Sequence, residues 1–356
     1  MAAKKNLAEV HLLRGVASLM VCLFHLILGN PALFPPSNIL GQVFSLGSSG
    51  VEVFFILSGY VVCYSLPDDF DYSQLKTFLL KRIVRIEPPY LVSIVVVISL
   101  NFLSHLVTGL SSSFDGLNIL GHLAYVNNFT STGYLNVVYW TLGIEFQFYL
   151  LAGLVFPWIK QNKYFLFLFA GCFVCLACLR VPFKADIIVP YFSYFTLGIL
   201  LLFYKIKRQI NLGYYLLFVA ICLLQILFHK GPNGSIAAIA TLVILHFWNV
   251  LNKVILFFSM ISYSLFLTHV PVGGKVINLG LRYVHSNLSK YLLVLAALGI
   301  SIGFAYLFHR FIELPAIHYS KRFRYRASKP LPVSRSISRL PVLKTKRVEI
   351  PLGTES

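Results

Sequence analysis

Five ionisable residues interrupt long apolar segments of this sequence: Arg14, His25, Glu52, Glu145 and His269. A charged side chain at the centre of a membrane-spanning helix costs about 3 kcal/mol, so each of these residues is a candidate for function. Arg14 and His25 are 11 residues apart, which is about three helical turns, so they share one face of a helix about 16 Å apart along its axis. The spacing predicts an arginine near one membrane surface and a histidine that reaches mid-membrane.

A carboxylate beside a histidine can perform general-base chemistry. Glu52 needs a partner in its apolar segment, and His25 is a candidate, because a carboxylate bound to one imidazole nitrogen raises the basicity of the other. Structural roles stay open at this point: packing for His25, snorkelling for Arg14, and an interfacial anchor or a pocket wall for Glu145. For His269 the sequence favours packing or an interface.

Two further arginines, Arg82 and Arg85, are three residues apart and precede an apolar segment. On a helix they share one face, on the same side of the membrane as Arg14. Three converging guanidinium groups would bind an anion such as a phosphate. The alternative is the ordinary excess of basic residues in cytoplasmic loops.

The amino-acid composition indicates that these residues belong to a membrane protein. Of 356 residues, 58% are hydrophobic and 12% are charged, against about 25% charged in soluble domains. The net charge is +18, but residues 321–356 alone carry ten basic and two acidic side chains. The other basic residues separate apolar runs that are too long for a soluble core, so we expect no nucleic-acid binding.

Ten apolar segments approach the roughly 20 residues that a spanning helix needs. They are 11–29, 43–66, 88–108, 137–158, 164–181, 187–204, 212–229, 235–251, 254–272 and 291–311. An even number places both termini on one side, and 24 of the 30 basic residues then fall on that side. The predicted fold is therefore an all-α polytopic protein of the cytoplasmic (inner) membrane, with about ten transmembrane helices and both termini cytoplasmic.

The stretches between these segments predict loops and a tail. Residues 101–136 contain no Lys or Arg and are predicted to form a polar outer loop, whereas 67–87 form an inner loop that ends at the helix-starting Pro88 and Pro89. Residues 1–320 are expected to be one membrane domain without an appended soluble domain. Residues 321–356 lack periodicity and are predicted to be disordered, with weak attraction to anionic lipid headgroups.

The six cysteines lie inside apolar segments, and no His or acidic residue stands near the Cys172, Cys175 and Cys178 group. They are predicted to be small packing residues, with no disulfide framework and no metal site.

Six short blocks, in order along residues 11–320, resemble the acyltransferase family 3 of integral membrane proteins, which includes O-antigen and exopolysaccharide O-acetylases. The blocks are LRGVA from residue 13 with the Arg14-to-His25 spacing, FFILSGY from 54, KRIVRIEPPY from 81, WTLGIEFQFY from 140, ISYSLFLTH from 261 and RFIELP from 310. Four positions depart from the family pattern: Glu52 replaces the commoner Asp, Thr141 the usual Ser, Phe146 a second acid, and Glu87 an aromatic residue.

The resemblance implies a ten-helix transferase that moves an acyl group, usually acetyl, from cytoplasmic acyl-coenzyme A to a saccharide hydroxyl outside, as on lipopolysaccharide O-antigen or an exopolysaccharide. It implies that His25 and Glu52 are catalytic, and that Arg14, Arg82 and Arg85 hold the phosphates of the donor. Residues expected to bind substrate or to support those that do are Trp140, Glu145, Tyr149, His269 and Glu313. No metal is expected.

Several alternatives stay open. His25 could act as a general base or could itself carry the acyl group. The donor could be succinyl or longer, and the acceptor a lipid, peptidoglycan or a small glycosylated metabolite. A non-enzymatic reading, with a transporter or a glycan-export component, uses the same buried charges as a permeation route. The oligomeric state is not indicated.

Overall fold

The computed structural model describes residues 7–34, 39–109, 116–130, 132–179 and 186–325, and these residues contain helices and no β-strand. The α-helices are α1 (Ala8–Leu28), α2 (Ile39–Ser45), α3 (Gly50–Ser65), α4 (Leu75–Thr108), α5 (Gly116–Leu123), α6 (Tyr139–Ile159), α7 (Lys163–Ala177), α8 (Phe192–Lys205), α9 (Leu212–Phe247), α10 (Lys253–Gly280), α11 (Asn287–Phe308) and α12 (Leu314–Ser320). A π-helical turn, His309–Glu313, joins α11 to α12. Of the predicted basic tail, residues 326–356 lie outside the described residues.

Seven segments in the described part of the chain are long and apolar enough to cross a membrane. They are Ala8–Leu28, Gly41–Ser65, Tyr72–Val107, Tyr139–Ile159, Leu212–Phe247, Lys253–Gly280 and Asn287–Ser320. Two shorter apolar helices, Lys163–Ala177 and Val189–Lys205, stand where two further spans are predicted. The chain is an all-helical, multi-pass membrane protein.

Helix α9 reverses its direction at Gly231. The ring of Tyr204 lies 4.5 Å from that of Tyr215, near the start of α9, and 6.0 Å from that of His246, near its end. A straight helix of this length would be about 54 Å long, so both ends reach Tyr204 only because the chain folds back. Gly231 has φ of 78°, which favours glycine, and Pro232 begins the second half. The predicted segments 212–229 and 235–251 are therefore the two antiparallel arms of α9.

Helix α4 begins 13 residues earlier than the predicted segment 88–108. It begins at Leu75 and continues through Pro88 and Pro89, so the prolines lie inside a helix and the predicted inner loop is shorter. Pro88 and Pro89 lack the N–H groups that would bond to the carbonyls of Val84 and Arg85. One turn of the same region is tied to α10, because the hydroxyl of Tyr263 donates to the carbonyl of Ile86 at 3.0 Å. The predicted outer loop, 101–136, is likewise partly helical, because it contains the end of α4 and all of α5.

Close helix packing positions α3 against α8. A Cβ atom added at Gly59 would meet the carbonyl oxygen of Phe195, and one added at Gly198 would meet that of Ile56. Glycine allows two helix backbones to approach this closely, which is a common packing device in membranes. The contact fixes the orientation of the α3 side chains around its axis.

Polar contacts define the two ends of the helix bundle. Glu9, at the start of α1, pairs with Lys205, at the end of α8, at 3.3 Å. The Arg82 Nη2 atom donates to Oγ of Ser65, at the end of α3, at 2.5 Å. This end, which also carries Arg14 and Arg85, is here called the arginine end. The end of α1, with His25, and the starts of α3 and α8 lie at the opposite end, here called the histidine end.

Candidate functional site

Three arginines converge at the arginine end. Arg14, Arg82 and Arg85 line both an inner cavity of about 130 Å³ and a wider cavity of about 420 Å³ that continues past Tyr64 and Tyr325. The positive charge of Arg85 acts unfavourably on both Arg14 and Arg82. Like charges held together in a cavity favour the binding of an anion.

Each arginine keeps donors for a ligand. Arg14 donates from Nε to Oγ of Ser262 at 3.3 Å, and Arg82 donates from Nη2 to Ser65. A guanidinium group has five N–H donors, so the contacts that the described residues make use a minority of them. The serines hold the two side chains in place, and both side chains line the two cavities.

Two carboxylates line the inner cavity with the arginines. Glu145 accepts hydrogen bonds from the Ser58 hydroxyl, at 3.0 Å, and from the hydroxyl of Tyr149. Glu313 is buried in the π-helical turn, where it accepts from the Ser264 hydroxyl at 2.6 Å and from Nδ1 of His309 at 2.9 Å. The predicted residues Glu145, Tyr149 and Glu313 thus lie beside the arginines, and the carboxylates offset part of their charge.

The histidine end holds a pair of histidines. His25 lies in the last turn of α1. Its Nδ1 atom is 3.0 Å from Nε2 of His269 and 3.0 Å from the carbonyl oxygen of Val21. The Nδ1 atom of His269 is 2.8 Å from the carbonyl oxygen of Leu265. A carbonyl only accepts, so neutral His269 donates from Nδ1 and accepts at Nε2 from His25. The Nε2 atom of His25 is then left with its lone pair.

Among the described residues no hydrogen bond joins Glu52 to His25, the partner that the sequence suggests for it. A Cβ atom on Gly50 would lie 2.8 Å from Val21 of α1, and Glu52, two residues on, is rotated by about 200° around α3. Its carboxylate interacts electrostatically with Lys230 of α9, and its Oε2 atom is buried without a hydrogen-bond partner among the described residues. The partner of His25 in the structure is His269.

Two phenylalanines lie between the cavity and the histidines. Phe54 and Phe266 make an edge-to-face contact with their centroids 5.7 Å apart, and both line the inner cavity. Phe266 is also 6.2 Å from the ring of His269. The remaining predicted residue, Trp140, lies at the histidine end of α6, with its ring 5.7 Å from that of Tyr191.

Sequence reasoning missed the polar contacts between α1 and α10. His11 pairs with Ser259 at 2.8 Å, and Arg14 with Ser262 at 3.3 Å, one helical turn farther on. The sequence does carry a signal for these contacts, because Ser259 and Ser262 are three residues apart in the otherwise apolar α10 segment and so share one face of the helix. Among the described residues there is no group of three or more His, Cys, Asp or Glu side chains that could hold a metal ion.

Comparisons with known proteins add three relatives. The chain is 29% identical over 146 residues to acyltransferase MdmB of Streptomyces mycarofaciens, a match that covers 40% of this chain and 37% of the relative. It is 25% identical over 357 aligned residues, 85% of this chain and 56% of the relative, to a Staphylococcus aureus protein named "Putative O-acetyltransferase". It is 34% identical over 142 residues, 35% of this chain and 23% of the relative, to a peptidoglycan O-acetyltransferase of Listeria monocytogenes.

The chain thus spans little more than half the length of these relatives, or less. No solved structure matches it. The family model described as "Acyltransferase domain" matches residues 7–310, a range that contains both histidines of the pair and all three arginines. The chain belongs to this acyltransferase family.

Proposed function

We propose that the protein is a membrane O-acyltransferase that moves an acetyl group from acetyl-coenzyme A to a hydroxyl of an extracytoplasmic saccharide. The observation that carries this proposal is that three arginines converge beside the start of α1 while a paired histidine, His25, lies near the other end of the same helix. The names of the relatives, O-acetyltransferases among them, support the reaction type.

The donor enters at the arginine end. Arg14, Arg82 and Arg85 bind the phosphates of coenzyme A, since guanidinium forks match phosphate oxygens in bidentate pairs. The pantetheine arm extends through the inner cavity, past Glu145 and Tyr149, towards the contact between Phe54 and Phe266. These two rings separate to admit the thioester to His25.

His25 performs the chemistry at the histidine end. Its Nε2 atom takes the proton of the acceptor hydroxyl, whose oxygen attacks the thioester carbonyl carbon. The new C–O bond forms, the C–S bond breaks, and the thiolate of coenzyme A leaves and takes up a proton. An alternative order has His25 attack first and carry the acyl group as an acyl-imidazole before the hydroxyl accepts it. In both orders His269 orients His25.

The excess of basic residues supports an orientation in which the arginine end faces the cytoplasm of a bacterial inner membrane. Counting α7, α8 and both arms of α9 as spans gives ten helices, with both termini cytoplasmic. We further propose that residues 1–320 form the catalytic membrane domain and that 321–356 form a basic tail beside anionic lipids. Peptidoglycan joins O-antigen and exopolysaccharide as an acceptor class, because one relative is named for it.

The test is thiol release from acetyl-coenzyme A by membranes that carry the protein, with crude extracellular polysaccharide of the host as acceptor. We expect release together with acetylation of the polysaccharide, and loss of both in His25→Ala at matched expression. His285→Ala changes an exposed histidine outside the site and should behave as wild type. An active His25→Ala variant would contradict the mechanism, and inactive wild-type membranes would contradict the donor or the acceptor.

A further inference from the structure

A second polar cluster lies at the histidine end, on the face of α3 that points away from α1. Glu52 of α3 and Lys230 of α9 interact electrostatically, but no ion-pair contact joins them among the described residues. Glu52 and Lys230 therefore both keep hydrogen-bonding capacity for a ligand that reaches them. The mechanism proposed above uses neither residue.

Hydroxyl groups next to Glu52 are also without partners. The Tyr194 hydroxyl and Ser235 Oγ are buried and make no hydrogen bond within the described part of the chain. Tyr194 is electrostatically coupled to Glu52, and its hydroxyl lies against Gly234, the residue before Ser235. Buried polar atoms are almost always hydrogen-bonded. The unpartnered oxygens of Glu52 and Tyr194, with that of Ser235 next to Gly234 in the chain, are thus available to a polar ligand.

An aromatic surface borders these groups. The ammonium group of Lys230 lies 4.1 Å from the ring centroid of Tyr191. The Tyr191 ring in turn lies 5.7 Å from Trp140 and 5.0 Å from Phe55. Lys230 itself is exposed, so the cluster can be reached from outside the bundle. Its combination of flat apolar rings with a carboxylate, an ammonium group and hydroxyls is that of a site for an amphipathic ligand.

A saccharide matches this chemistry better than a lipid or an anion does. Its hydroxyls donate to a carboxylate and accept from an ammonium group, and its ring carries a C–H face that packs on an aromatic ring. An anion would meet the opposite charges of Glu52 and Lys230 together and gain little net attraction, and an acyl chain would leave every polar group of the cluster unsatisfied.

We propose that Glu52, Tyr191, Tyr194 and Lys230, with Trp140 beside them, form a subsite that binds a sugar ring of the acceptor. The subsite lies at the same end of the bundle as His25 and across α3 from it. A sugar bound there is a neighbour of the sugar that is acetylated, and the subsite selects the acceptor and does not take part in the proton transfer. This inference rests on the proposed function and names the residues that recognise its acceptor.

The test uses the full chain, purified in detergent, with Trp158→Phe and Trp248→Phe so that Trp140 is the single tryptophan. Both replaced side chains are exposed, at 48% and 37%, and lie outside the cluster. The probe is the trisaccharide of N-acetylglucosamine, titrated while the emission of Trp140 is recorded. We expect a saturable change, weakened about tenfold by Glu52→Gln and by Tyr194→Phe, as for the loss of one hydrogen bond to the sugar.

Glu9→Gln is the matched control. It removes a buried carboxylate of α1 at the opposite end of the bundle, and it should leave trisaccharide binding unchanged. Emission that does not respond to the trisaccharide, or equal affinity in the Glu52→Gln variant, would overturn the proposal and indicate that water alone fills the cluster.

Acetyl transfer from acetyl-coenzyme A to the same trisaccharide separates this inference from the proposed function. Binding that depends on Glu52 without any transfer would contradict the proposed function and support the subsite. Transfer in which Glu52→Gln raises the acceptor KM about tenfold and leaves kcat nearly unchanged supports both. Transfer with an unchanged acceptor KM and a lower kcat in Glu52→Gln would contradict the subsite and leave the proposed function standing.

Discussion

The Nε2 atom of His269 lies 3.0 Å from Nδ1 of His25, and Nδ1 of His269 lies 2.8 Å from the Leu265 carbonyl oxygen. The Leu265 carbonyl thereby sets the tautomer of His269, and the Val21 carbonyl, 3.0 Å from Nδ1 of His25, sets the same tautomer of His25 that an acceptor at Nε2 of His269 requires. A pair of this kind gives His25 a directed lone pair without a buried anion beside it, which avoids the cost of desolvating a carboxylate.

Replacing His269 tests this orienting contact. His269→Ala should lower kcat about tenfold, because Nδ1 of His25 loses one of its two hydrogen-bond acceptors and keeps only the Val21 carbonyl. The KM for acetyl-coenzyme A should stay within about twofold, since the arginine end is untouched. His269→Gln keeps an acceptor near Nδ1 of His25 and should recover part of the rate. An equal loss in both variants, measured by steady-state thiol release, would contradict the orienting role.

The arginine cluster makes a prediction about donor binding. Arg85→Ala should raise the KM for acetyl-coenzyme A about tenfold, because a charge-assisted contact to phosphate is lost. The effect should shrink at high ionic strength, as expected for charges near a surface. Lys76→Ala removes an exposed positive charge from the same helix and serves as the control. A similar rise of KM in Lys76→Ala would show that net charge, and not the cluster, attracts the donor.

The buried pair of His309 and Glu313 makes a prediction about stability. Glu313→Ala should lower the free energy of unfolding by about 3 kcal/mol, because His309 and the Ser264 hydroxyl both lose their acceptor in a buried place. The double variant with His309→Ala should be less destabilised than the sum of the single variants. Thermal unfolding in detergent measures all three, and strict additivity would show that the two side chains are not coupled.

The contact of α3 with α8 predicts sensitivity to one methyl group. Gly59→Ala places a Cβ against the Phe195 carbonyl oxygen, so the helices must separate, and we expect a loss of about 2 kcal/mol or more. Gly171→Ala in α7 meets no atom within 4 Å and should be neutral or slightly stabilising. The yield and thermal stability of the detergent-purified proteins report the difference. Equal behaviour of the two variants would contradict the close packing.

His122, which lies outside the spanning segments, predicts a pH dependence. Burial lowers the pKa of His122 to about 4, and its Nε2 atom accepts from the backbone N–H of Leu135 at 3.0 Å. In the unfolded chain the pKa is about 6.5, so below that pH the unfolded state binds a proton that the folded state does not. The stability contributed by neutral His122 is complete above about pH 6.5 and is lost as the pH falls towards 4.

Hydrogen exchange of residues 116–139, corrected for intrinsic rates, should therefore accelerate between pH 6.5 and pH 4. The His122→Gln variant keeps a hydrogen-bonding side chain without a titration in this range. Its exchange should depend less on pH, and an unchanged pH dependence would assign the effect to another group.

The sequence by itself determined the membrane character, the family and the chemical types at the site. Apolar segments of about 20 residues are read from composition, and α6 and α10 begin within two residues of their predicted positions. Arg14 and His25 lie on a single helix, α1, and Arg82 and Arg85 lie on a single helix, α4. Periodicity alone therefore gives the face on which each pair lies.

Only the tertiary structure decided which side chains meet. His25 and His269 are 244 residues apart in sequence, and their contact depends on how α1 packs on α10. The rotation of α3 that turns Glu52 towards Lys230 is fixed by the approach of Gly59 to α8, which no local pattern encodes. The fold-back of α9 at Gly231 is different, because the sequence already predicts its two arms as the separate segments 212–229 and 235–251. Pairings between helices depend on packing summed over whole interfaces, whereas the periodicity of one helix is a local property of the chain.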